Sequence, residues 1–121
     1  MLTRSIAECS QFVAGDGSLL RELLHPDKAK VDLRYSLAHA TVPPGDTTKP
    51  HRLKASEVYY IIAGTGKMVI DDESASVRPG DAVYIPPGAA QYIDNTGKVD
   101  LVFLCIVDPA WQAKDEEILT D

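Results

Sequence analysis

The chain has 121 residues, 45% of them apolar, which is the size of one domain with a single hydrophobic core. Acidic side chains outnumber basic ones 18 to 12, and charges of both signs are interspersed along the chain. A nucleic-acid-binding protein needs basic residues clustered on one surface. The net charge of −6 and the absence of such a cluster argue against nucleic acid as a partner.

The cysteines and the apolar runs indicate the compartment. Cys9 and Cys105 match neither a metal-binding spacing nor a redox CxxC pair, so we expect both to be free thiols. The N-terminal residues do not join a basic stretch, an apolar run and a small-residue cleavage site, as a secretory signal does. Nowhere do the roughly eighteen consecutive apolar residues of a membrane span occur. We therefore expect a cytoplasmic protein that does not engage a membrane.

The N-terminal segment, residues 1–32, contains one clear apolar run. A turn signal over 14–18 precedes the run 19–24, and His25-Pro26-Asp27 ends it. Leucine favours helices intrinsically, but six residues enclosed by two turns suit a strand better. We predict a strand over 19–24 and a solvent-exposed His25 in the turn that follows.

From Val31 onward, short apolar runs alternate with turn residues, which is typical of an all-β sandwich or barrel. The predicted strands are 33–42, 57–62, 67–70, 82–85 and 101–107, with a further short strand over 91–93. The runs 58–62 and 102–106 are apolar on both faces, so their outer faces need a cover. The N-terminal segment, the C-terminal tail or a second copy of the chain could supply it, and we predict a homodimer.

The tail, residues 109–121, contains Trp111 and then a charged run that ends in Ile118 and Leu119. Asp108-Pro109 opens the segment and acidic residues lie near its first turn, which favours one short amphipathic helix. The predicted organisation is a single domain. It has a covering segment over 1–32, a barrel over 33–108 and a helical tail over 109–121.

A spaced motif lies in the first half of the predicted barrel. Gly45 is followed by five residues to His51, one to Leu53, three to Glu57 and six to Gly64. This spacing resembles the first motif of the cupins, in which a second histidine stands where this chain has Leu53.

A second motif follows at the expected distance. Gly80 is followed by five residues to Pro86, one to Gly88, two to Gln91 and three to Asn95. This pattern resembles the second cupin motif, in which a histidine stands at the position of Gln91. The resemblance covers residues 45–95 and implies an all-β jelly-roll barrel, also called a double-stranded β-helix.

The cupin resemblance implies a divalent transition metal inside the barrel. Its ligands would be His51, Glu57 and Gln91, and Glu57 would also be the candidate residue for proton transfer in catalysis. One imidazole, one carboxylate and one neutral amide form a weak ligand set, with waters at the open positions. The metal would be Mn, Fe, Zn or Ni. The alternative is a buried hydrogen-bonded trio without metal, which satisfies the same polar groups.

Side chains alternate across a strand, and this alternation selects the pocket-lining candidates. Tyr59 shares a face with Glu57, and Ile93 shares one with Gln91. Leu53 projects in the same direction as His51. Two further candidates are Cys105, which otherwise reads as a small core residue, and His39, which on a strand among apolar neighbours is more often structural than a ligand.

The resemblance leaves three kinds of function open. The first is a metal-dependent isomerase, lyase or dioxygenase that acts on a small molecule of unknown identity. The second is a non-enzymatic cupin that binds or senses a small ligand. The third is a barrel whose metal site has decayed, which Leu53 and Gln91 favour. Fold alone does not choose among them.

Overall fold

The computed structural model describes residues 1–119, which form two antiparallel β-sheets. Single turns of 3-10 helix occur at Ile6–Glu8 and Ala113–Asp115. Within the described residues, no helix is long and apolar enough to cross a membrane. The strands are β1 Phe12–Val13, β2 Leu19–Leu24, β3 Ser36–Val42, β4 His51–Leu53, β5 Ser56–Ala63, β6 Gly66–Ile70, β7 Glu73–Val77, β8 Ala82–Ile85, β9 Gln91–Asn95, β10 Leu101–Asp108 and β11 Glu116–Ile118.

The two sheets enclose one apolar core. The six-stranded sheet has the order β1-β2-β3-β10-β5-β8, and the five-stranded sheet has the order β11-β4-β9-β6-β7. Burial alternates along β3, β9 and β10, so every second side chain of these strands points between the sheets. Ile61 and Phe103 from one sheet pack with Met68 and Ile93 from the other. This architecture confirms the predicted all-β jelly-roll barrel.

Sequence analysis located the longer strands and missed the short ones. Runs predicted over 19–24 and 82–85 match β2 and β8, and the other predicted runs differ from the observed strands by a few residues at their ends. The strands that were not predicted are β1, β4, β7 and β11. Three of these have only two or three residues, and β7 is polar and exposed along most of its length. A strand of two or three residues, or one that is polar and exposed, does not show the alternation of apolar and polar residues by which strands are predicted.

The N-terminal segment lies within a sheet. Strand β2 pairs with β3, in the register Leu20 opposite Ala40, and β1 pairs with β2, in the register Phe12 opposite Leu20. Residues 12–24 therefore extend the six-stranded sheet at one edge. The outer face of β5 and β10, which this segment was expected to cover, keeps Tyr60 and Ile106 exposed.

Of the predicted C-terminal helix, only one short turn forms. After the short turn Ala113–Asp115, the tail forms β11, which pairs antiparallel with β4. A helix this short is marginal without tertiary support, whereas the free edge of β4 offers backbone partners at once. Thr120 and Asp121, which were included in the predicted helix, lie outside the described residues.

His25 is buried, contrary to the prediction that it is exposed. Its Nδ1 accepts a hydrogen bond from the backbone N–H of Asp27 (3.0 Å), and its Nε2 donates to the carbonyl of Trp111 (2.7 Å). The N–H of Trp111 in turn donates to Oγ of Ser36. The ring thus connects the turn after β2 to the tail, which explains its burial.

We expect His25→Ala to lower the free energy of unfolding by about 1–3 kcal/mol, because it leaves the carbonyl of Trp111 and the N–H of Asp27 without partners. Urea unfolding monitored by Trp111 fluorescence measures this change. His39→Ala is the matched control, since His39 lies on the outer face of β3. Equal losses in the two variants would contradict the proposed role of His25.

Candidate functional site

A cavity of about 290 Å³ lies at one end of the barrel, between the inner faces of the sheets. Its wall is mainly apolar, and it includes Leu20, Leu53, Phe103, Val107 and Trp111. The polar groups are confined to a few side chains from separate strands and from the loop between β1 and β2. Small-molecule sites generally have this composition, with few polar groups in an apolar wall.

The structure brings together His51, Glu57 and Gln91, the three residues selected from the motifs. His51 on β4 lies directly opposite Gln91 on β9 in the five-stranded sheet. Glu57 projects from β5 of the other sheet, and Nε2 of Gln91 donates a hydrogen bond to its Oε1 (2.9 Å). This bond therefore joins the two sheets across the interior.

Tyr59 is the second hydrogen-bond partner of the Gln91 amide. Its hydroxyl donates to Oε1 of Gln91 (2.9 Å), and its ring packs against that of Phe103 with centroids 4.4 Å apart. The amide therefore accepts from Tyr59 on one side and donates to Glu57 on the other. Gln91 is 1% exposed, so both ends of its side chain are fixed inside the protein.

His51 presents one ring nitrogen to the cavity. Its Nδ1 lies 2.8 Å from the carbonyl oxygen of Lys49, which can only accept, so Nδ1 carries the hydrogen. In the neutral ring, Nε2 is then an acceptor, and it lies 3.9 Å from Oδ2 of Asp16. The other oxygen of Asp16 accepts from the N–H and the hydroxyl of Ser18, which fixes the carboxylate in the loop after β1.

A third carboxylate enters the wall from the tail. Oε2 of Glu116 accepts a hydrogen bond from the indole of Trp111 (3.2 Å). Its other oxygen lies close to the position that a Cβ at Gly15 would take, so a larger residue there would displace the end of the Glu116 side chain. Strand β11 thus brings both an indole and a carboxylate to the cavity.

Burial determines the protonation of the interior. The pKa of Glu57 is raised to about 8, first because the carboxyl is removed from water, and further by the charges of Asp16 and Glu116. The hydrogen bond from Gln91 partly offsets this increase. The pKa values of Tyr59 and Cys105 are also raised well above normal, again chiefly by burial. The interior therefore disfavours added negative charge.

The other candidate residues are divided between the cavity and its surroundings. Leu53, Tyr59 and Cys105 line the cavity. Ile93 points inward but is fully buried in the core outside the cavity wall. His39 lies on the outer face of β3, opposite Arg21 and Leu104, because the inward positions of that strand are the even-numbered ones. The expectation that His39 lines the site therefore does not hold.

Asp16, Trp111 and Glu116 are among the residues of the wall that were not predicted from the sequence. Asp16 lies in a segment whose pattern indicates only a turn, although an aspartate two residues before a serine is a typical turn cap. Trp111 and Glu116 lie in the tail that was predicted as a helix. No local pattern indicates that this tail returns to pair with β4.

The donor set does not fit a resident transition metal. Among residues 1–119, no three His, Cys, Asp or Glu side chains are arranged to hold a metal ion. His51 has the tautomer that a metal ligand needs. However, the oxygen of Gln91 is occupied by Tyr59, and Glu57 accepts from the Gln91 amide and keeps its proton up to about pH 8. Of the three predicted metal ligands, Gln91 and Glu57 are hydrogen-bonded to each other, whereas His51 is bonded to the carbonyl of Lys49. The hydrogen-bonded trio of the alternative is therefore formed only in part.

Comparison with known proteins assigns the barrel to a family. Residues 38–107 match the model of the Cupin domain, so the chain belongs to the cupin family. An uncharacterised protein of Methanocaldococcus jannaschii is 44% identical over 109 residues, which cover 89% of this chain and 86% of the relative.

Two further relatives extend the comparison. An oxalate-binding protein of Thermotoga maritima is 31% identical over 90 residues, covering 74% of this chain and 69% of that protein. The crystal structure of a Cupin 2 conserved barrel domain protein from Salinispora arenicola superposes with a TM-score of 0.78 at 19% identity, covering 94% of this chain and 91% of that one. The latter likeness shows the fold alone.

Glu57 predicts how stability depends on pH. In the folded protein it keeps its proton up to about pH 8, whereas the ordinary pKa of the unfolded chain is 4.5. Between these values the folded state binds more protons, so stability is greatest below the lower value and falls as the pH rises through the upper one. The slope is at most about 1.4 kcal/mol per pH unit.

We expect Glu57→Gln to remove this slope, which urea unfolding at intervals across the pH window measures. Glu117→Gln is the control, because Glu117 is the exposed neighbour of Glu116 and pairs with Arg52 on the outer side of the sheet. If the slope survives in Glu57→Gln, another group causes it.

Proposed function

We propose that this cupin binds a small organic molecule directly in the barrel, through its hydrogen-bonded network rather than through a resident metal. The observation that carries this proposal is the Gln91 amide, which bridges Tyr59 and Glu57 at 2.9 Å on each side. Gln91 lies behind the wall of the apolar cavity, and the two side chains that it holds line that wall. The network holds its polar groups in fixed orientations before any ligand enters, which lowers the cost of binding.

Two buried groups remain available to a ligand. The bond from Gln91 to Oε1 is the one hydrogen bond that described residues make to the carboxyl of Glu57, so Oε2 is free. Nε2 of His51 has no hydrogen-bond partner among the described residues and lies 3.9 Å from Oδ2 of Asp16. Both side chains line the cavity and are less than a tenth exposed. Neither atom is among the fully enclosed polar atoms without a partner, so both are accessible from the cavity and a ligand there could bond to them.

These observations favour the binding-module alternative over a metal-dependent isomerase, lyase or dioxygenase. In a metal-dependent enzyme the ligand atoms have to be available to the ion, whereas here Gln91 and Glu57 bind each other. The similarity to an oxalate-binding protein supports a ligand-binding role for a chain of this length. It does not carry over the identity of the ligand.

Binding to the metal-free protein is the test. Elemental analysis of protein purified without added metal should find Mn, Fe, Zn and Ni well below one equivalent. A thermal-shift screen of small alcohols, amides and amines, made in the presence of a chelator, should then identify compounds that raise Tm. Stoichiometric metal, or stabilisation that appears only after metal is added, would contradict the proposal.

Substitution of Gln91 links any binding to the network. We expect Gln91→Leu to weaken the affinity for a stabilising compound by about tenfold or more, because the buried groups of Tyr59 and Glu57 lose their partner. Isothermal titration calorimetry measures the change. Gln11→Leu is the matched control, since Gln11 is exposed, and it should leave the affinity unchanged. Equal affinities in the two variants would place binding elsewhere.

We also propose that the outer face of the six-stranded sheet pairs with a second copy of this chain. Tyr60, Ile62, Tyr84 and Ile106 are exposed on this face by 45%, 44%, 61% and 36%. The outward positions of β3, β5 and β10 carry no Asp, Glu, Lys or Arg before Asp108, and the charged Arg21 lies next to them on β2. Two copies that each carry a net charge of −6 repel each other least when they meet through β3, β5 and β10.

The oligomeric state of Ile106→Glu tests this interface. We expect sedimentation velocity to find a dimer for the unchanged protein and a monomer for the variant, because a charge at the centre of the face would be buried without a partner. Val99→Glu is the control, since Val99 is 62% exposed in the loop before β10. A monomeric unchanged protein, or a dimeric Ile106→Glu variant, would overturn the interface.

A further inference from the structure

The cavity has an uneven distribution of charge. Four carboxyl groups line it, from Asp16, Glu22, Glu57 and Glu116, against one lysine and one histidine. The lysine, Lys28, is already paired, because its Nζ lies 2.6 Å from Oε1 of Glu22. Within residues 1–119, no lysine or arginine side chain forms an ion pair with Asp16 or Glu116, and His51 lies 3.9 Å from Asp16.

We infer that the ligand of this site is a small organic cation, an ammonium group on an apolar body. This inference rests on the proposed function and specifies the chemical class of its ligand. An ammonium group supplies the positive charge and the hydrogen-bond donors that the wall lacks. An apolar body suits the remainder of the cavity.

The seat of the ammonium group lies between His51 and Asp16. Oδ1 of Asp16 is occupied by Ser18, whereas Oδ2 faces the imidazole. Because Nδ1 is bonded to the carbonyl of Lys49, Nε2 is the nitrogen of His51 that can accept a hydrogen bond. It lies 3.9 Å from Oδ2 of Asp16, which is too long for a hydrogen bond between the two. Because hydrogen bonds to nitrogen and oxygen span about 2.7–3.2 Å, one ammonium nitrogen can reach both atoms.

The apolar body would lie against the aromatic part of the wall. Tyr59, Phe103 and Trp111 line the same cavity, together with Leu53 and Val107. The volume of about 290 Å³ accommodates a single ring with a short side chain. Aromatic faces also attract cations when water is excluded, which adds to the preference for a positively charged ligand.

Anionic ligands encounter the opposite situation. A carboxylate or phosphate would meet the charges of Asp16 and Glu116, and no arginine is among the described residues that line the cavity. The raised pKa values of Glu57, Tyr59 and Cys105 are consistent with this, since burial in the same environment disfavours the ionised form of each group. Oxalate, named for the Thermotoga maritima relative, is therefore not the expected ligand here.

Three probes that share an aromatic ring and differ in charge test the inference. Benzylamine, benzyl alcohol and benzoate share a ring and a methylene- or carboxyl-linked group, and calorimetry on the metal-free protein gives their affinities. We expect benzylamine to bind about tenfold or more tightly than benzyl alcohol. Benzoate and oxalate should not bind measurably.

Variants of Asp16 and Glu116 test whether their charges cause the preference for benzylamine. Asp16→Asn retains the acceptor for Ser18, and Glu116→Gln retains the acceptor for Trp111, but each removes a charge. We expect either variant to reduce the preference for benzylamine over benzyl alcohol without loss of benzyl alcohol binding. Glu117→Gln is the control, because that carboxylate lies on the outer side of β11 and should leave the preference unchanged.

The outcomes separate the inference from the proposed function. If benzyl alcohol or benzoate binds as tightly as benzylamine, the charge inference is wrong and the interior ligand site stands. If the preference survives in both carboxylate variants, the ammonium seat is elsewhere and the inference is also overturned. If none of the probes and none of the screened compounds binds, the proposed function itself fails.

Discussion

The carboxyl of Glu57, buried between two apolar sheets, is the constraint on which the interior arrangement depends. An ionised carboxylate in this position would be very costly without a partner. The fold meets this cost in two ways, since the group stays protonated up to about pH 8 and the Gln91 amide donates to it. Because that amide comes from the opposite sheet, the same bond fixes how the two inner faces are aligned at the site.

The fold could be predicted from the sequence because its strands are encoded locally. Apolar runs between Gly, Pro and Asn residues produced β2, β3, β5, β6, β8, β9 and β10, and the two motifs placed His51, Glu57 and Gln91 in one site. The tail could not be predicted in this way. Its strand forms only because the edge of β4 is free, and residues 51–53 and 116–118 are far apart in the chain. Local propensity carries no information about such a pairing.

The chemistry of the site could be predicted only in part, for the same reason. The motifs identify which side chains converge, but a hydrogen bond depends on which atoms face each other. That the oxygen of Gln91 faces Tyr59 and its nitrogen faces Glu57 follows from how β5 of one sheet packs against β9 of the other. Asp16 and Glu116, which determine the charge of the cavity, come from a loop and a tail outside both motifs.

This chain departs from the cupin motifs at Leu53 and Gln91, and each residue replaces a histidine that could bind a metal. Leu53 adds an apolar side chain to the cavity wall, and Gln91 adds an amide whose nitrogen can donate to a carboxyl. A histidine at position 91 whose free ring nitrogen carries no hydrogen could bind a metal, but that nitrogen could not donate a hydrogen bond to Glu57. In this chain the Gln91 amide is held by Tyr59 and Glu57, while Nε2 of His51 and Oε2 of Glu57 are not bonded to other described residues. The proposed ligand would therefore meet hydrogen-bonding groups of the protein where the cupin motifs provide metal ligands.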